Sequence, residues 1–136
     1  MKIVLADDYA NICSAIKLIL EEDDVFQVVG EADDLDQLLL LIEDAQPDIL
    51  LLDWELIPGQ SEALIRTINK AFPQLFVTAM SARSTAKQEA MQAGVDAFIS
   101  KGEPSKRFLS ALHVMREKQM NVEGRGKAVG RYAKEN

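Results

Sequence analysis

An unbroken run of four apolar residues at positions 49–52 constrains the fold of this chain more than any other segment. Pro47 and Asp48 precede the run and Pro58 and Gly59 follow soon after it, so it is too short for a helix. A short apolar run between turn residues is typical of a strand that is buried on both faces, as in a parallel sheet. The acid Asp53 follows the run directly. The segment therefore predicts a buried parallel strand that ends in a carboxylate.

Short apolar runs alternate along the whole chain with stretches in which apolar residues recur at helical spacing. Helical spacing is seen in Ile12, Ile16 and Ile19, and again near the end of the chain in Phe108 and Leu112. Five strands alternating with five helices predict an α/β fold, with a parallel sheet covered on both faces and right-handed crossovers. Strands are predicted at residues 3–6, 26–29, 49–52, 75–80 and 95–100.

Capping residues indicate where the helices begin and end. Asp33 or Asp34 is the expected N-cap of the second helix, and Ser61 is the expected N-cap of the third. Gly94 occupies the position of a left-handed cap after the fourth helix. Pro104 is well placed as the first residue of the last helix.

Length and charge limit the architecture and the partners. With 136 residues the chain can form one domain with a proper core, and it is too short for two ordinary domains. We expect the domain to cover residues 1–120, followed at 121–136 by a basic, Gly-containing tail without an output domain. The net charge of −7 argues against direct binding of nucleic acid by this domain.

The expected location is the cytoplasm. The single cysteine, Cys13, excludes an intramolecular disulfide and suits a reducing compartment. The first residues lack the apolar core of a signal peptide, and no stretch approaches the roughly 20 apolar residues of a membrane span. We therefore expect a soluble protein with no membrane partner.

Polar side chains stand where the predicted strands end. Asp7 and Asp8 follow the first strand, and Asp53 follows the third. Ser81 follows the fourth strand and Lys101 the fifth. Each has an ordinary explanation by itself, as a helix cap, a turn residue or a solvated charge. Because ligands of open parallel sheets bind at the carboxyl ends of the strands, the set together predicts one site.

The chemistry of this set suits a phosphoryl group. Three neighbouring carboxylates repel one another, and a hard divalent cation such as Mg²⁺ relieves that repulsion through oxygen ligands. An ammonium and a hydroxyl beside the metal can offset the phosphoryl charge and hydrogen-bond its oxygens. The sequence therefore predicts a Mg²⁺-dependent site that holds a phosphoryl group on, or against, Asp53.

Four segments carry a resemblance to a known family. They are Leu-Ala-Asp-Asp at 5–8, Leu-Leu-Asp-Trp-Glu-Leu-Ile-Pro-Gly at 51–59, Met-Ser-Ala at 80–82, and Ala-Gly-Val-Asp-Ala-Phe-Ile-Ser-Lys at 93–101. In this order and spacing they resemble the receiver domain of response regulators in two-component signalling, over about residues 1–120. The resemblance implies a flavodoxin-like, doubly wound sheet of five parallel strands in the order 2-1-3-4-5. The sequence is similar to receivers of transcription factors with a helix-turn-helix output domain, which implies a role in transcription regulation.

The resemblance also implies roles for the acidic residues. Asp53 matches the aspartate that takes a phosphoryl group from the phosphohistidine of a sensor histidine kinase or phosphotransfer protein. Asp8 and Asp53 would bind Mg²⁺ through their side chains, and Asp7 largely through water. Glu55 would contribute its backbone carbonyl to the metal. The domain would be a signalling switch that catalyses only its own phosphorylation and dephosphorylation.

Three further residues take switching roles by the same resemblance. Lys101 would contact the phosphoryl group, Ser81 matches the Ser/Thr switch, and Phe98 matches the aromatic residue that turns inward when the hydroxyl moves. Phosphorylation is then expected to change a protein–protein surface around Phe98 and to favour a homodimer.

The chain departs from the family pattern at three positions. Phe98 lacks the hydroxyl of the tyrosine found in many receivers, so its switching would rest on packing. Many receivers have glycine at the position of Glu62, so the preceding loop is expected to be tighter or capped earlier. Gly102 stands where many have a proline in a cis peptide. Because a cis bond to a non-proline residue costs about 2.5–4 kcal/mol, the Lys101–Gly102 peptide stays open between cis and trans.

Glu55 and Arg83 are candidates for a gate over the site. Glu55 lies two residues after Asp53, and Arg83 lies two residues after Ser81. If both loops border one crevice, the opposite charges can meet across its mouth. An exposed pair contributes only about 0–1 kcal/mol to folding. The expected role is therefore kinetic, in setting the lifetime of the phosphorylated state.

Other distinctive residues have simpler interpretations. Trp54 is expected to pack at the core or its rim, and His113 to lie at the surface or an interface. Cys13 is expected to be a half-buried packing residue near the acidic pocket. The acidic residues 21–24 are expected to form a solvated loop.

Two other functions remain as alternatives. The first is a receiver fold used, without phosphorylation, as a dimerisation or docking module; the intact set of acids, hydroxyl and lysine weakens it. The second is a small Mg²⁺-dependent phosphatase with an aspartyl nucleophile, for which Asp53 and Glu55 are a faint match. That class places its nucleophile after the first strand and usually adds a substrate cap, and neither feature is seen here.

Overall fold

The computed structural model of the protein describes residues 1–56 and 59–124, with side chains described as far as residue 120. Five strands form one sheet in the order β2-β1-β3-β4-β5, and every neighbouring pair is parallel. The predicted flavodoxin-like α/β fold and its strand order are therefore confirmed. The elements are β1 (Lys2–Ala6), α1 (Ala10–Glu21), β2 (Gln27–Ala32), α2 (Leu35–Ala45), β3 (Ile49–Asp53), α3 (Ser61–Ala71), β4 (Phe76–Ser81), α4 (Ala86–Ala93), β5 (Ala97–Ser100) and α5 (Ser105–Gly124).

The central strand β3 is buried on both faces, as its unbroken apolar sequence predicts. Side chains alternate between the two faces of a strand. Leu50 and Leu52 accordingly join the core beneath α2, α3 and α4, whereas Ile49 and Leu51 join the core beneath α1 and α5. Each such aliphatic side chain contributes about 1.5–3 kcal/mol by leaving water. Two helical layers on one sheet thus hold the polar residue at the end of β3 in a fixed position.

The strand order places a crevice at the carboxyl ends of β1 and β3. The chain leaves β1 for α1 on one face of the sheet and leaves β3 for α3 on the opposite face. Because the two connections diverge, none of the helices in the described part of the chain covers the sheet edge between these strands, and a ligand can reach it. This edge carries Asp7 and Asp53.

Two predicted caps are confirmed and two predicted helix starts are wrong. The Asp34 carboxylate caps α2 by accepting from the Gln37 N–H at 2.8 Å, and Gly94 ends α4 with φ 107°. Ser61 is the first residue of α3, and the N-cap is Gln60. The Ser61 hydroxyl donates to the Trp54 carbonyl at 3.1 Å. The last helix begins at Ser105, one residue later than predicted.

Strand ends also differ from the prediction. β2 starts later and continues to Ala32, beyond the predicted end at 29. β4 includes Ser81, and β5 starts only at Ala97. Before β5, the side chain of Asp96 accepts from the Val77 N–H at 2.8 Å while its own N–H donates to the Val77 carbonyl at 2.8 Å, which fixes the turn that enters the strand.

The last helix reaches further than expected. α5 ends at Gly124, so the first four residues of the predicted tail are helical. The rest of that tail, residues 125–136, lies outside the described residues, as do Ile57 and Pro58 of the motif at 51–59. Within the described residues no peptide bond is cis, so the Lys101–Gly102 bond is trans. None of the helices in the described ranges has the length and apolar character that crossing a bilayer requires.

Candidate functional site

The polar residues predicted to share a site do meet at one edge of the sheet. Asp53 ends β3 and Ser81 ends β4, and both are buried. Asp7 and Asp8 follow β1, and Lys101 follows β5. Strand register accounts for the convergence, since Ala6 pairs with Leu52, Asp53 with Met80, and Ser81 with Ser100.

A single ammonium serves two buried carboxylates. Lys101 Nζ lies 3.0 Å from Asp7 Oδ2 and 3.2 Å from Asp53 Oδ1. The side chains of Asp7 and Asp53 are 0% and 2% exposed, and that of Lys101 is 16% exposed. Buried charges are costly unless paired. Lys101 therefore makes it possible for both acids to be buried, and it leaves part of its own surface towards the crevice.

The three aspartates form a group that could hold a metal ion. One carboxylate oxygen from each of Asp7, Asp8 and Asp53 lies within 4.8 Å of the others. Asp8 is exposed and the other two are buried, so the group opens to solvent on one side. Among the described residues, only one cation, the Lys101 ammonium, is paired with this group of three carboxyl groups, which carries an excess of two negative charges when all three are ionised. Hard oxygen ligands with this excess charge fit a divalent cation such as Mg²⁺.

Burial, hydrogen bonds and neighbouring charges shift the pKa values of Asp53 and Lys101. Burial raises the pKa of the Asp53 carboxyl, and the charge of Asp7 adds to the rise, whereas the Glu55 N–H and the Lys101 ammonium oppose it. Burial alone would lower the pKa of Lys101, but its hydrogen bond to Asp7 and the charge of Asp53 outweigh that effect and raise it. Lys101 is therefore a permanent cation at neutral pH, and a second cation would favour ionised Asp53.

Backbone amides orient the two buried carboxylates. The Tyr9 N–H donates to Asp7 Oδ1 at 2.9 Å, and the Glu55 N–H donates to Asp53 Oδ1 at 3.1 Å. In both cases the donor is the backbone N–H of the second residue after the aspartate. Asp side chains favour this local turn. Oδ1 of Asp53 is thus engaged by the Glu55 N–H and Lys101, and Oδ2 makes neither of these contacts.

Ser81, Glu55 and Arg83 form a second cluster beside the acids. The Ser81 hydroxyl donates to Glu55 Oε1 at 2.8 Å and accepts from the Arg83 N–H at 3.0 Å. The Arg83 side chain donates from Nε to the same Glu55 oxygen at 2.8 Å. Burial would raise the pKa of Glu55, but the hydrogen bonds from Arg83 and Ser81 outweigh it and lower the pKa. Glu55 is therefore ionised at neutral pH, and it forms an ion pair with Arg83.

Helix α4 joins this cluster through Glu89. Glu89 Oε2 accepts from Trp54 Nε1 at 3.2 Å and lies 3.4 Å from Arg83 Nη2. Trp54 is 7% exposed, in keeping with its predicted packing role, and it also makes a polar contact that the sequence did not predict. These residues border a cavity of about 450 Å³ next to the acidic crevice.

Phe98 lies on the strand next to Ser81. It pairs with Ala79 in the β4–β5 register and is half-buried against the core beneath α2, α3 and α4. The structure thus places it near the edge that carries Ser81, with part of its surface accessible.

Two residues near the site were missed by the sequence analysis. The ring of Tyr9 lies 5.8 Å from Lys101 Nζ, within reach of a cation–π interaction, and Tyr9 is 62% exposed. Its position directly after Asp7 and Asp8 was the available signal. Glu89 had no such signal, because it contacts residues six and 35 positions away on other elements.

One expectation about residues outside the site needs correction: part of the acidic segment at 21–24 is not a solvated loop, whereas His113 lies partly exposed at the surface, as expected. Asp23, within the expected solvated loop, is half-buried; its carboxylate accepts from the Val25 N–H at 3.0 Å and lies 2.6 Å from His113 Nε2. The Val25 N–H and then His113 lower the pKa of Asp23. His113 also packs edge-to-face on Phe26, with ring centroids 5.0 Å apart, so it joins α5 to the segment before β2.

Cys13 is more deeply buried than expected. It is 4% exposed, and its thiol lies 3.7 Å from the Asp7 carbonyl. Burial, followed by hydrogen bonding with Glu31, raises the pKa of the thiol to about 11. A thiol of this kind is a packing group with little thiolate at neutral pH.

Comparison with known families gives a match over most of the chain. The family profile described as response regulator receiver domain matches residues 3–113. The oxygen regulatory protein NreC of Staphylococcus carnosus is 30% identical over 119 residues, which cover 85% of this chain and 54% of NreC. NreC of Staphylococcus epidermidis is 28% identical over 127 residues, and the match covers 58% of the length of that protein. The chain thus spans about half the length of these curated relatives.

Solved structures share the fold. NtrX from Brucella abortus, in complex with ADP, superimposes with a TM-score of 0.80 at 24% identity, over 90% of this chain and 28% of that one. RcsB from Salmonella enterica serovar Typhimurium, bound to promoter rprA in the presence of the phosphomimetic BeF3−, gives a TM-score of 0.75 at 21% identity. That match covers 84% of this chain and 67% of RcsB. At these identities the likeness concerns the fold alone.

Proposed function

We propose that this chain, which belongs to the family of response regulator receiver domains, accepts a phosphoryl group on Asp53 from the phosphohistidine of a histidine kinase or phosphotransfer protein. The observation that carries the proposal is the position of Asp53. It ends the central strand, is 2% exposed, and shares the Lys101 ammonium with Asp7. A buried carboxylate at the open edge of the sheet, with a cation that also faces the crevice, is suited to nucleophilic attack on an anionic group.

The contacts of Asp53 support a different role for each of its two carboxylate oxygens in this proposal. Oδ1 accepts from the Glu55 N–H and pairs with Lys101, so the carboxylate plane is held in place. Oδ2, which makes neither contact, is then the attacking atom. Attack forms a bond between Oδ2 and phosphorus as the bond from phosphorus to the donor imidazole nitrogen breaks, and that nitrogen leaves with the electron pair. Lys101 offsets charge on the phosphoryl oxygens as they pass into the site.

The same site would hold Mg²⁺. Asp8, Asp53 and the backbone carbonyl of Glu55 would bind it, with Asp7 acting largely through water. Bound there, the metal supplies charge neutralisation for the phosphoryl oxygens and favours the ionised form of Asp53. The excess negative charge of the three aspartates supports this part of the proposal.

The phosphorylated state would be read out through the surface around Phe98. Movement of the Ser81 hydroxyl onto the phosphoryl group would open space on the neighbouring strand for the half-buried ring of Phe98. This two-state element would favour a homodimer on phosphorylation. The relatives, which are named oxygen regulatory proteins, support a regulatory role. Regulation of transcription, in the cytoplasm, is part of the proposal, and the net charge of −7 argues against direct contact of this domain with nucleic acid.

Glu55 and Arg83 would gate the lifetime of the phosphorylated state. Their side chains meet at 2.8 Å, and both are substantially exposed, at 40% and 51%. An exposed pair of this kind adds little to stability. Closed over the crevice, it would instead obstruct the path by which water reaches the phosphoryl group.

Phosphorylation by a small donor tests the proposed function. Incubation with acetyl phosphate should give a single phosphoryl adduct by intact-mass spectrometry when Mg²⁺ is present and none when EDTA replaces it. Asp53→Asn should abolish the adduct. Asp44→Asn, which changes an exposed acid on α2, is the matched control and should leave the yield unchanged. An adduct of equal yield on the Asp53→Asn protein would overturn the assignment.

A further inference from the structure

The hydroxyl of Ser81 is already committed to an acceptor. It donates to Glu55 Oε1 at 2.8 Å, and its oxygen accepts from the Arg83 N–H at 3.0 Å. A serine hydroxyl has one hydrogen to donate. It cannot hydrogen-bond Glu55 and a phosphoryl oxygen through the same proton.

We infer that Glu55 competes with the phosphoryl group for the Ser81 hydroxyl, and that Glu89 on α4 strengthens this competition by holding Arg83 against Glu55. The inference rests on the proposed phosphorylation of Asp53 and adds to it a positioning role for two glutamates. Glu55 thereby stabilises the unphosphorylated arrangement of the switch. The gate described above concerns water reaching the phosphorylated site, whereas this competition sets how readily the phosphorylated arrangement forms.

Burial explains why the contact between Ser81 and Glu55 is effective although Glu55 itself is exposed. Ser81 is 0% exposed, so without an acceptor its donor group would be buried and unsatisfied. Glu55 supplies that acceptor, and its ionised oxygen makes the bond charge-assisted. Any ligand that takes the hydroxyl must replace this bond, which raises the free energy of binding by a corresponding amount.

Helix α4 contributes to the competition for the Ser81 hydroxyl through one carboxylate oxygen of Glu89. Glu89 Oε2 accepts from the indole of Trp54 and contacts the guanidinium of Arg83. Arg83 is therefore held between the carboxylates of Glu55 and Glu89. A fixed guanidinium keeps the Glu55 carboxylate oriented towards Ser81. The position of α4 is in this way coupled to the availability of the hydroxyl.

The test is the affinity of the intact chain for beryllofluoride, a phosphoryl mimic, at a fixed concentration of Mg²⁺. Trp54 is the single tryptophan of the chain and directly follows Asp53, so its fluorescence reports occupancy of the site. Glu55→Ala should tighten binding by about tenfold, the effect expected from losing one charge-assisted hydrogen bond. Glu89→Gln, which weakens the exposed contact with Arg83, should tighten it by about twofold.

A double-mutant cycle separates competition from simple charge repulsion. In a Ser81→Ala background no hydroxyl remains to compete for, so the gain from Glu55→Ala should disappear. If Glu55 acts only by repelling the anion, the gain persists in that background and the inference is overturned. Glu62→Ala is the matched control, since it removes an exposed acid beside the same cavity without a contact to Ser81, and it should change affinity by less than about twofold.

Failure of the proposed function and failure of the competition for Ser81 give different results. If the wild-type chain shows no Mg²⁺-dependent binding of beryllofluoride, the proposed function is overturned and this inference with it. If the wild type binds but Glu55→Ala binds no tighter, the proposed function stands and only the competition is excluded.

Discussion

Replacement of Lys101 by methionine should destabilise the fold, and the size of the effect should depend on pH. The substitution keeps a long side chain of similar volume and removes the ammonium that pairs with Asp7 Oδ2 at 3.0 Å and Asp53 Oδ1 at 3.2 Å. Both carboxylates are almost completely buried, so neither can regain full hydration. Breaking a buried ion pair by removing one partner costs about 3–5 kcal/mol. Because Lys101 remains partly exposed, we expect about 3 kcal/mol, or a fall of roughly 10 °C in melting temperature.

The pH dependence follows from the pKa of Asp53, which burial already raises above its ordinary value. Loss of the ammonium removes one of the groups that oppose this rise, so the pKa of Asp53 climbs further in the variant. A carboxyl with a folded-state pKa above its unfolded value destabilises the fold when ionised. This cost starts to fall as the pH drops below the folded-state pKa and is gone only below the unfolded-state pKa. The stability difference between wild type and variant should therefore be largest near neutral pH and shrink towards acid pH.

Thermal unfolding in EDTA, followed by circular dichroism at several pH values, measures this directly. Lys87→Met is the matched control, because Lys87 is exposed on α4 and its loss should change stability by no more than about 0.5 kcal/mol. An unchanged melting temperature for Lys101→Met at neutral pH would refute the reasoning. So would a deficit of the same size at every pH, since that would trace to packing and not to charge.

Three further predictions concern the gate, the dimer and the thiol. Arg83→Ala should speed release of phosphate from the Asp53 adduct several-fold with little change in melting temperature; if Glu55→Ala and Arg83→Ala have effects that simply add in the double variant, the two side chains act separately. Beryllofluoride with Mg²⁺ should increase the mass measured by light scattering and alter amide exchange around Phe98, and no change in either would exclude a phosphorylation-dependent dimer at this surface. Cys13 should react with a thiol reagent at pH 8 at least about 100-fold more slowly in the folded protein than in urea. The reason is that its pKa of about 11 lies about two units above the ordinary 9.0. Equal rates would show that the thiol is not buried and that its pKa is not raised.

Much of the fold was readable from residue patterns. The apolar runs at β1, β3 and β4 identify strands because most side chains that are buried on both faces of a sheet are apolar. The errors in the predicted strands and helices were confined to their ends, where a single contact can determine which residue begins or ends the element. The hydroxyl of Ser61 bonds the Trp54 carbonyl and does not cap α3.

The acids and the lysine of the site were also predictable, because parallel strands present their carboxyl ends at the same edge of the sheet. The sequence alone therefore determined that Asp7, Asp53 and Lys101 would be neighbours, before any distance was known. Asp7 and Asp53 share one ammonium because both are buried, and a buried charge is costly unless a charge of opposite sign lies close to it.

Only the tertiary structure decided which side chains complete the site. Glu89 reaches Arg83 and Trp54 from a helix whose sequence has no distinctive pattern, and Tyr9 covers Lys101 across 92 positions of sequence. Asp23 meets His113 from a loop that composition alone marks as solvated. Such contacts depend on how helices pack and on which rotamer each side chain adopts. Helix packing and rotamers depend on contacts with residues that are distant in sequence, so the residue pattern within one segment does not predict them.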